Sequence, residues 1–157
     1  QFVILLLVYV DDILVADTDS QQITSLIKHM HSAFSIKEMG NISYFLGISV
    51  HSTIEWLFLS QQKYASEILV KARMTNCKSY ASPMATKSSP SNDTLVHFSQ
   101  LNLYRILVGA LQYLTITRPD LSYTMNHACQ FMHSPNVAHF NAVIRLLRHL
   151  QGTLQQN

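Results

Sequence analysis

The chain has 157 residues, of which 48% are hydrophobic and 13% are charged, and its net charge is +2 with neutral histidines. These values argue against a disordered chain, and the length suits one domain with a core or two small lobes. No apolar run reaches the ~18 residues that a membrane helix needs, so no membrane partner is expected. Cys77 and Cys129 lie far apart, which predicts free thiols in a reducing, intracellular compartment.

The first predicted element is a hairpin with two aspartates at its centre. All of residues 1–16 are hydrophobic except Gln1, Asp11 and Asp12. A buried carboxylate without a partner is costly, so we expect the pair either at an exposed turn or beside bound cations. We predict a two-residue turn at Asp11–Asp12 between two apolar strands. A buried-type strand that starts at residue 2 also suggests a piece of a longer polypeptide.

A helix and a second hairpin follow in the first half. Asp19 with Gln22 three residues later resembles a capping box, and apolar residues recur at helical spacing as far as Phe34. The stretches SYFLGISV and HSTIEWLFLSQ are rich in β-forming residues around a short polar break. A further helix is predicted from Gln61 to about Ala72. The first half is therefore expected to be a mixed α+β lobe.

The second half is predicted to be a linker followed by helices. Turn-forming residues dominate Asn76 to Ser99. Three helical segments are expected at roughly 101–116, 119–132 and 136–150, with Pro119 in the first helical position and Gly152 as a stop. From Phe98 onward there are four basic residues and one acidic one, against seven and eight before it. The helical part is therefore the better candidate for contact with a polyanion.

The aspartate pair admits two interpretations on physical grounds. Adjacent carboxylates at a stiff hairpin tip suit Mg²⁺, which binds through one or two carboxylates plus substrate phosphates. In two-metal phosphoryl transfer, such ions stabilise both the attacking and the leaving oxygen. The simpler alternative is that an Asp-Asp turn is only a turn.

The order of several motifs favours the first interpretation. LLLVYVDDILVADTD contains a Tyr-Val-Asp-Asp motif, followed in order by FSIKEMGNISYFLGISV, LFLSQQKYASEIL, NCKSYASPM, LYRILVGALQYLTITRPDLSYTMN and QFMHSPNVAHFNAVIRLLRHLQGT. This series resembles the reverse transcriptase of copia-type LTR retrotransposons over nearly the whole chain. The resemblance implies an RNA-directed DNA polymerase with Mg²⁺ or Mn²⁺ as cofactor. It also implies an RNA template, a DNA primer and deoxynucleoside triphosphates as partners.

The resemblance assigns roles to the first group of residues. Asp11 is similar to the palm aspartate that ligates both catalytic metals, and Asp12 to its neighbour. Tyr9 and Val10 are expected beside the primer end and the incoming nucleotide. Lys37 is similar to a lysine proposed to protonate the leaving pyrophosphate. The simpler alternative for Lys37 is a solvated lysine after a helix.

The resemblance also suggests nucleic-acid contacts. The stretch Tyr44 to Gly47 resembles a primer grip, in which Phe45, Leu46 and Gly47 contact the primer strand. The alternative for Phe45 and Leu46 is that they pack in the core of a hairpin. The alternative for Gly47 is that it marks a β-bulge. In the helical part we name three candidate phosphate contacts, Arg118, Arg145 and Arg148. The alternative for Arg118 is an ion pair with Asp120. The alternative for Arg145 and Arg148 is that they lie on a solvated helix face and bind nothing.

The expected architecture is an α+β fragment of a polymerase. Residues 1–75 are expected to form a partial palm, 76–99 a linker, and 100–157 thumb-like or connection helices. The family needs a further aspartate and fingers from upstream, and a ribonuclease H lies downstream, so we expect the fragment to be inactive alone. The alternatives are a non-catalytic nucleic-acid-binding remnant and a degenerate transposon relic. His127, Cys129 and His133 suggest zinc only weakly, because no second cluster completes four ligands.

Overall fold

The computed structural model describes residues 3–85 and 96–155, which form an α+β fold in two compact units, Gln1–Ile42 and Ser43–Asn157. The expected α+β class is confirmed. The division falls at residue 42, whereas the sequence suggested one near residue 75. The helix after the second hairpin packs with the C-terminal helices, so it belongs to the same unit as they do.

The first unit contains an antiparallel hairpin and one helix. Strands β1 (Leu5–Tyr9) and β2 (Asp12–Ala16) pair in the register Leu5–Ala16 to Tyr9–Asp12. Helix α1 (Ser20–Ala33) is capped at its N-terminus by Asp19, whose carboxylate accepts a hydrogen bond from the Gln21 amide at 2.9 Å. No residue between 3 and 42 is buried, so this unit has no core of its own.

The second unit begins with a three-stranded antiparallel sheet. Its strands are β3 (Tyr44–Phe45), β4 (Ile48–Ser52) and β5 (Leu57–Ser60), with β4 in the centre. The predicted hairpin corresponds to β4 and β5. The tight β3–β4 turn at Leu46–Gly47 was not predicted, because the sequence there resembles a continuous strand.

Four helices complete the second unit and enclose its core. They are α2 (Gln62–Lys71), α3 (Leu101–Leu114), α4 (Ser122–Cys129) and α5 (Val137–Gly152), with a 3₁₀ turn at Pro119–Leu121 before α4. The buried apolar side chains come from α2, α3, α4 and α5 and from neighbouring turns. At the centre, the Tyr104 hydroxyl donates to the Ala128 carbonyl at 2.8 Å, and burial raises the pKa of Tyr104 to about 12.

The described parts of the predicted linker make specific contacts with α5 and the turn before it. The Tyr80 amide donates to the Arg148 carbonyl at 3.3 Å, and Phe98 donates to the Pro135 carbonyl at 3.0 Å. Residues 86–95 of that segment lie outside the described residues. Within residues 3–85 and 96–155, no helix has the length and hydropathy needed to cross a membrane.

Candidate active site and nucleic-acid interface

The aspartate pair lies at the tip of the first hairpin, one position away from the predicted arrangement. Tyr9 pairs with Asp12, so the two-residue turn is Val10–Asp11 and Asp12 is the first residue of β2. The prediction that both aspartates form the turn is therefore wrong by one residue. Both carboxylates remain exposed, as do Tyr9 and Val10, which are 57% and 80% exposed.

Val10 explains the shift in register. Its φ is +50°, whereas Asp11 does not have a positive φ, which is the pattern of a type II′ turn. Such turns usually have glycine at this position, because a β-branched side chain is strained there by about 1–3 kcal/mol. A turn-propensity argument favours Asp over Val for a left-handed residue, so the sequence alone placed the turn one residue late.

The two carboxylates suit a divalent cation only as part of a larger site. Asp11 and Asp12 supply hard oxygen donors at the exposed end of a paired hairpin, the donor type that Mg²⁺ prefers. Among residues 3–85 and 96–155, no group of three or more His, Cys, Asp or Glu side chains is placed to hold a metal ion. The pair therefore fits a site that is completed by other ligands, such as substrate phosphates and water.

Lys37 lies beyond the C-terminus of α1, in an irregular segment of the same unit as the hairpin. Its side chain is exposed, and no hydrogen bond or ion pair holds its ammonium among the described residues. The neighbouring Glu38 pairs with His31 at 3.0 Å. Lys37 is thus accessible, and its proposed catalytic role stays a prediction.

The primer-grip-like segment forms a latched turn. Leu46 and Gly47 have φ values of +48° and +80° and connect Phe45 to its pairing partner Ile48. The Tyr113 hydroxyl on α3 donates a hydrogen bond to the Leu46 carbonyl. A Cβ atom at Gly47 would lie 3.4 Å from the Tyr113 ring and 3.5 Å from the Tyr64 ring. A side chain there would make only ordinary van der Waals contact with these rings, so it is the positive φ that favours glycine at this position. Gly47 is a residue of the turn rather than a bulge.

Two tyrosines, Tyr64 on α2 and Tyr113 on α3, hold this turn. The rings of Tyr64 and Tyr113 meet edge to face, with centroids 5.3 Å apart. Burial raises the pKa of Tyr64, and the nearby Tyr113, Glu67 and Tyr44 raise it further. Tyr113 lies 67 residues from Leu46, so no local pattern links them. The helical spacing of α2 predicted an inward-facing Tyr64, whereas no sequence pattern singled out Tyr113.

Arg118 is held inside the helical unit. It is 5% exposed, and its Nε and Nη2 donate to the two carboxylate oxygens of Asp120 at 2.9 and 2.8 Å. Its remaining bonds reach the carbonyl and hydroxyl of Thr153 at 3.2 and 3.1 Å. The arginine lowers the pKa of Asp120. Of the two roles foreseen for Arg118, the structure contains the pairing with Asp120.

Arg145 and Arg148 lie on one face of α5 and share the Tyr80 ring. Their guanidinium carbons are 4.7 and 5.2 Å from its centroid, and Arg148 Nη1 donates to the Tyr80 hydroxyl at 3.0 Å. The buried Nε atoms of both arginines have no hydrogen-bond partner in the described structure. No carboxylate there pairs with either. The result is a positive site beside an aromatic ring.

One known protein family matches the segment that contains both the aspartate hairpin and the β3–β4 turn. Residues 1–86, which include the aspartate hairpin and the latched turn, match the family described as reverse transcriptase (RNA-dependent DNA polymerase). The chain belongs to this reverse transcriptase family. The sequence-based recognition is thus confirmed.

Individual relatives connect the chain to retrotransposons. It is 40% identical over 151 residues to the retrovirus-related Pol polyprotein from transposon RE2 of Arabidopsis thaliana, and 32% identical to that from transposon TNT 1-94 of Nicotiana tabacum. It is 44% identical to an uncharacterized mitochondrial protein of Arabidopsis thaliana. These matches cover 95–96% of the chain.

These relatives are longer than this chain. It spans 62% of the mitochondrial protein, 10% of the RE2 polyprotein and 12% of the TNT 1-94 polyprotein. No solved structure matches it significantly. The sequence matches thus make the chain a member of a reverse transcriptase family that spans only part of the length of its transposon relatives.

Proposed function

We propose that this chain supplies the aspartate hairpin and the adjoining helices of a copia-type RNA-directed DNA polymerase. The observation that carries the proposal is the paired hairpin with exposed Asp11 and Asp12 inside the segment that matches the family. The substrates would be a template–primer and deoxynucleoside triphosphates. The relatives named as Pol polyproteins support this class of reaction.

In this proposal, different residues of the chain bind the metal, position the primer and donate a proton. Asp11 and Asp12 hold Mg²⁺ or Mn²⁺, which when bound stabilises charge on the attacking and leaving oxygens of nucleotidyl transfer. Tyr9 and Val10, exposed beside the pair, line the position of the primer end and the nucleotide. Lys37 donates a proton near the leaving pyrophosphate. The β3–β4 turn, with Phe45, Leu46 and Gly47, positions the primer strand.

We further propose that the chain does not polymerise by itself. A two-metal centre needs more carboxylates than this pair supplies, and metal ions carry much of the transition-state stabilisation. None of the other aspartates of this sequence lies in a motif matching the family's further palm aspartate. The other palm strands, the fingers and a ribonuclease H of the parent polyprotein would be its partners.

Two measurements test this proposal. Primer extension on a homopolymer template should show no Mg²⁺-dependent synthesis by this chain, and synthesis that disappears in Asp11→Asn would overturn the proposed inactivity. Mn²⁺ should broaden NMR signals of the hairpin in the wild type but not in the double variant Asp11→Asn, Asp12→Asn. Glu55→Gln, which removes an exposed carboxylate elsewhere, is the matched control and should keep the broadening. Equal broadening in all three proteins would refute the metal assignment.

A second candidate function is binding of nucleic acid without catalysis. The two guanidiniums of Arg145 and Arg148 favour it, because they have no carboxylate partner in the described structure. We expect salt-dependent binding of a template–primer duplex that persists in Asp11→Asn. Arg145→Ala with Arg148→Ala should reduce the salt slope by about 2, whereas Lys28→Ala with Lys71→Ala should leave it nearly unchanged. Equal salt slopes in the arginine and the lysine double variants would exclude a specific contact of Arg145 and Arg148 with the nucleic acid.

A further inference from the structure

A histidine completes the capping motif at the N-terminus of α5. The Asn136 side chain accepts a hydrogen bond from the His139 amide at 2.8 Å, and the Asn136 amide donates to His139 Nδ1 at 3.1 Å. The two bonds form a capping box, in which the third helical residue is usually a Glu or Gln whose oxygen accepts from the capping residue. In α5 a titratable ring supplies that acceptor instead.

The direction of the bond from Asn136 fixes the protonation state of His139. A backbone amide can only donate, so Nδ1 is the unprotonated nitrogen and the ring is the neutral Nε2–H tautomer. A proton on Nδ1 would turn this acceptor into a donor and break the bond. It would also put a positive charge in the first turn of a helix, where the helix dipole disfavours cations. Both effects oppose protonation of His139 while the cap is formed.

The groups around His139 oppose its protonation as well. Its ring stacks on Phe131 with the centroids 3.5 Å apart, and the His127 ring of α4 meets Phe131 edge to face at 5.2 Å. Burial lowers the pKa of His139, and the nearby His127 lowers it further. From α3, Arg105 donates to the Met132 carbonyl, next to Phe131, at 2.9 Å. Among the described residues no carboxylate forms an ion pair with any of these side chains.

The same end of α5 holds residues 96–98, the segment that leads into α3. Four contacts join them: the Val137 amide to the Val96 carbonyl at 2.9 Å, the Phe98 amide to the Pro135 carbonyl at 3.0 Å, a β-bridge between His97 and Asn136, and the stacked rings of Phe98 and Phe140 at 4.1 Å. We call these four contacts the clasp. The titratable side chains of residues 96–98 and 133–140 are His97, His133 and His139, and the first two are exposed. Because Asn136 belongs to both the clasp and the capping box, loss of the cap should loosen the clasp.

We propose that His139 makes the clasp a pH-sensitive switch, which is closed at neutral pH and opens in weak acid. When a proton from the solvent binds Nδ1, the Asn136 amide loses its acceptor, the first turn of α5 loses its cap, and residues 96–98 are released. The stability that His139 gives the clasp is complete above its ordinary pKa of 6.5 and is lost as the pH falls from there through the lower pKa of the closed form. The switch uses neither the aspartate pair nor catalysis.

Hydrogen exchange of backbone amides measures the opening of the clasp. Below pH 6.5 the opening equilibrium at the amides of Asn136, Val137 and Phe98 should rise by up to about tenfold for each pH unit, after correction for the intrinsic pH dependence of exchange. Far-ultraviolet circular dichroism should show that the helices are retained at about pH 5, because only the clasp and the first turn of α5 open. Loss of the whole helical signal together with the clasp would show global acid unfolding and would overturn the proposal of a local switch.

Two matched substitutions identify the histidine that is responsible. Glutamine is an ordinary residue at this position of a capping box, so His139→Gln keeps an acceptor for the Asn136 amide but does not titrate. Its clasp should therefore stay closed in weak acid. His133→Gln removes an exposed histidine outside the cap and should open as the wild type does. Opening that persists in His139→Gln, or that disappears in His133→Gln, would contradict the assignment to His139.

A further measurement needs no variant. The imidazole nitrogen chemical shifts of His139 at about pH 8 should show the Nε2–H tautomer, and an Nδ1–H tautomer would eliminate the acceptor and the switch with it. The acid loss of the pair Arg118–Asp120 begins below pH 3.8, so it does not overlap with this range. All of these measurements are made without substrate, so failure of the proposed polymerase function leaves them unaffected.

Discussion

At the residue scale, Arg118 connects parts of the second unit that are distant in sequence. Its guanidinium bonds to Asp120 beside it and to Thr153 after α5. Lysine cannot reproduce this fork of donors. Arg118→Lys should therefore lower the free energy of unfolding by about 1–3 kcal/mol, measured by urea denaturation. Asp120→Asn, which keeps an acceptor on a half-exposed side chain, should cost less than Arg118→Lys.

The same pair predicts a pH dependence. The hydrogen bond from Arg118 lowers the pKa of Asp120 in the folded state below its ordinary value of 3.8. The contribution to stability is therefore complete above pH 3.8 and is lost as the pH falls through the lower folded pKa. In Asp120→Asn this part of the acid dependence should be absent. An unchanged acid profile in that variant would show that the pair does not contribute.

At the element scale, the latch between Tyr113 and the β3–β4 turn can be tested with two hydroxyl deletions. Tyr113→Phe removes the donor to the Leu46 carbonyl and should speed amide exchange over residues 44–50, with a cost of about 1 kcal/mol. Tyr64→Phe keeps the ring contact and removes a hydroxyl that makes no hydrogen bond in the described structure. Similar amide-exchange rates in both variants would show that the hydrogen bond from Tyr113 to Leu46 does not stabilise the turn.

The elements also show what the sequence was able to predict. Helices α1, α2, α3 and α5 were predicted within about two residues, because their apolar stripes have the helical period. The turns at Val10 and at Leu46–Gly47 were displaced or missed, since Val10 and Leu46, which are poor turn formers, adopt positive φ there. In the second turn a distant tyrosine supplies the contact. Such turns depend on tertiary structure, which local patterns do not contain.

At the scale of the whole molecule, the core is unequally divided. All sixteen buried apolar residues identified in the described structure lie between Ala65 and Leu150. In the first unit, residues of β1 such as Leu5 and Leu7 are 65% and 51% exposed. Two-stranded hairpins and single helices of this length are marginal in water. An incomplete palm and a degenerate relic both predict such an exposed hairpin.

This division predicts how the two units contribute to stability. A chain of residues 43–157 should unfold cooperatively in urea, whereas residues 1–42 alone should show no cooperative transition by circular dichroism. Two matched substitutions extend the test within the full chain. Leu111→Ala, at a side chain that is 0% exposed, should lower the free energy of unfolding by about 2–5 kcal/mol. Leu7→Ala should lower the free energy of unfolding by less than about 1 kcal/mol, because half of its side chain already lies in water. An equal loss of stability in both variants would mean that the hairpin is buried in solution.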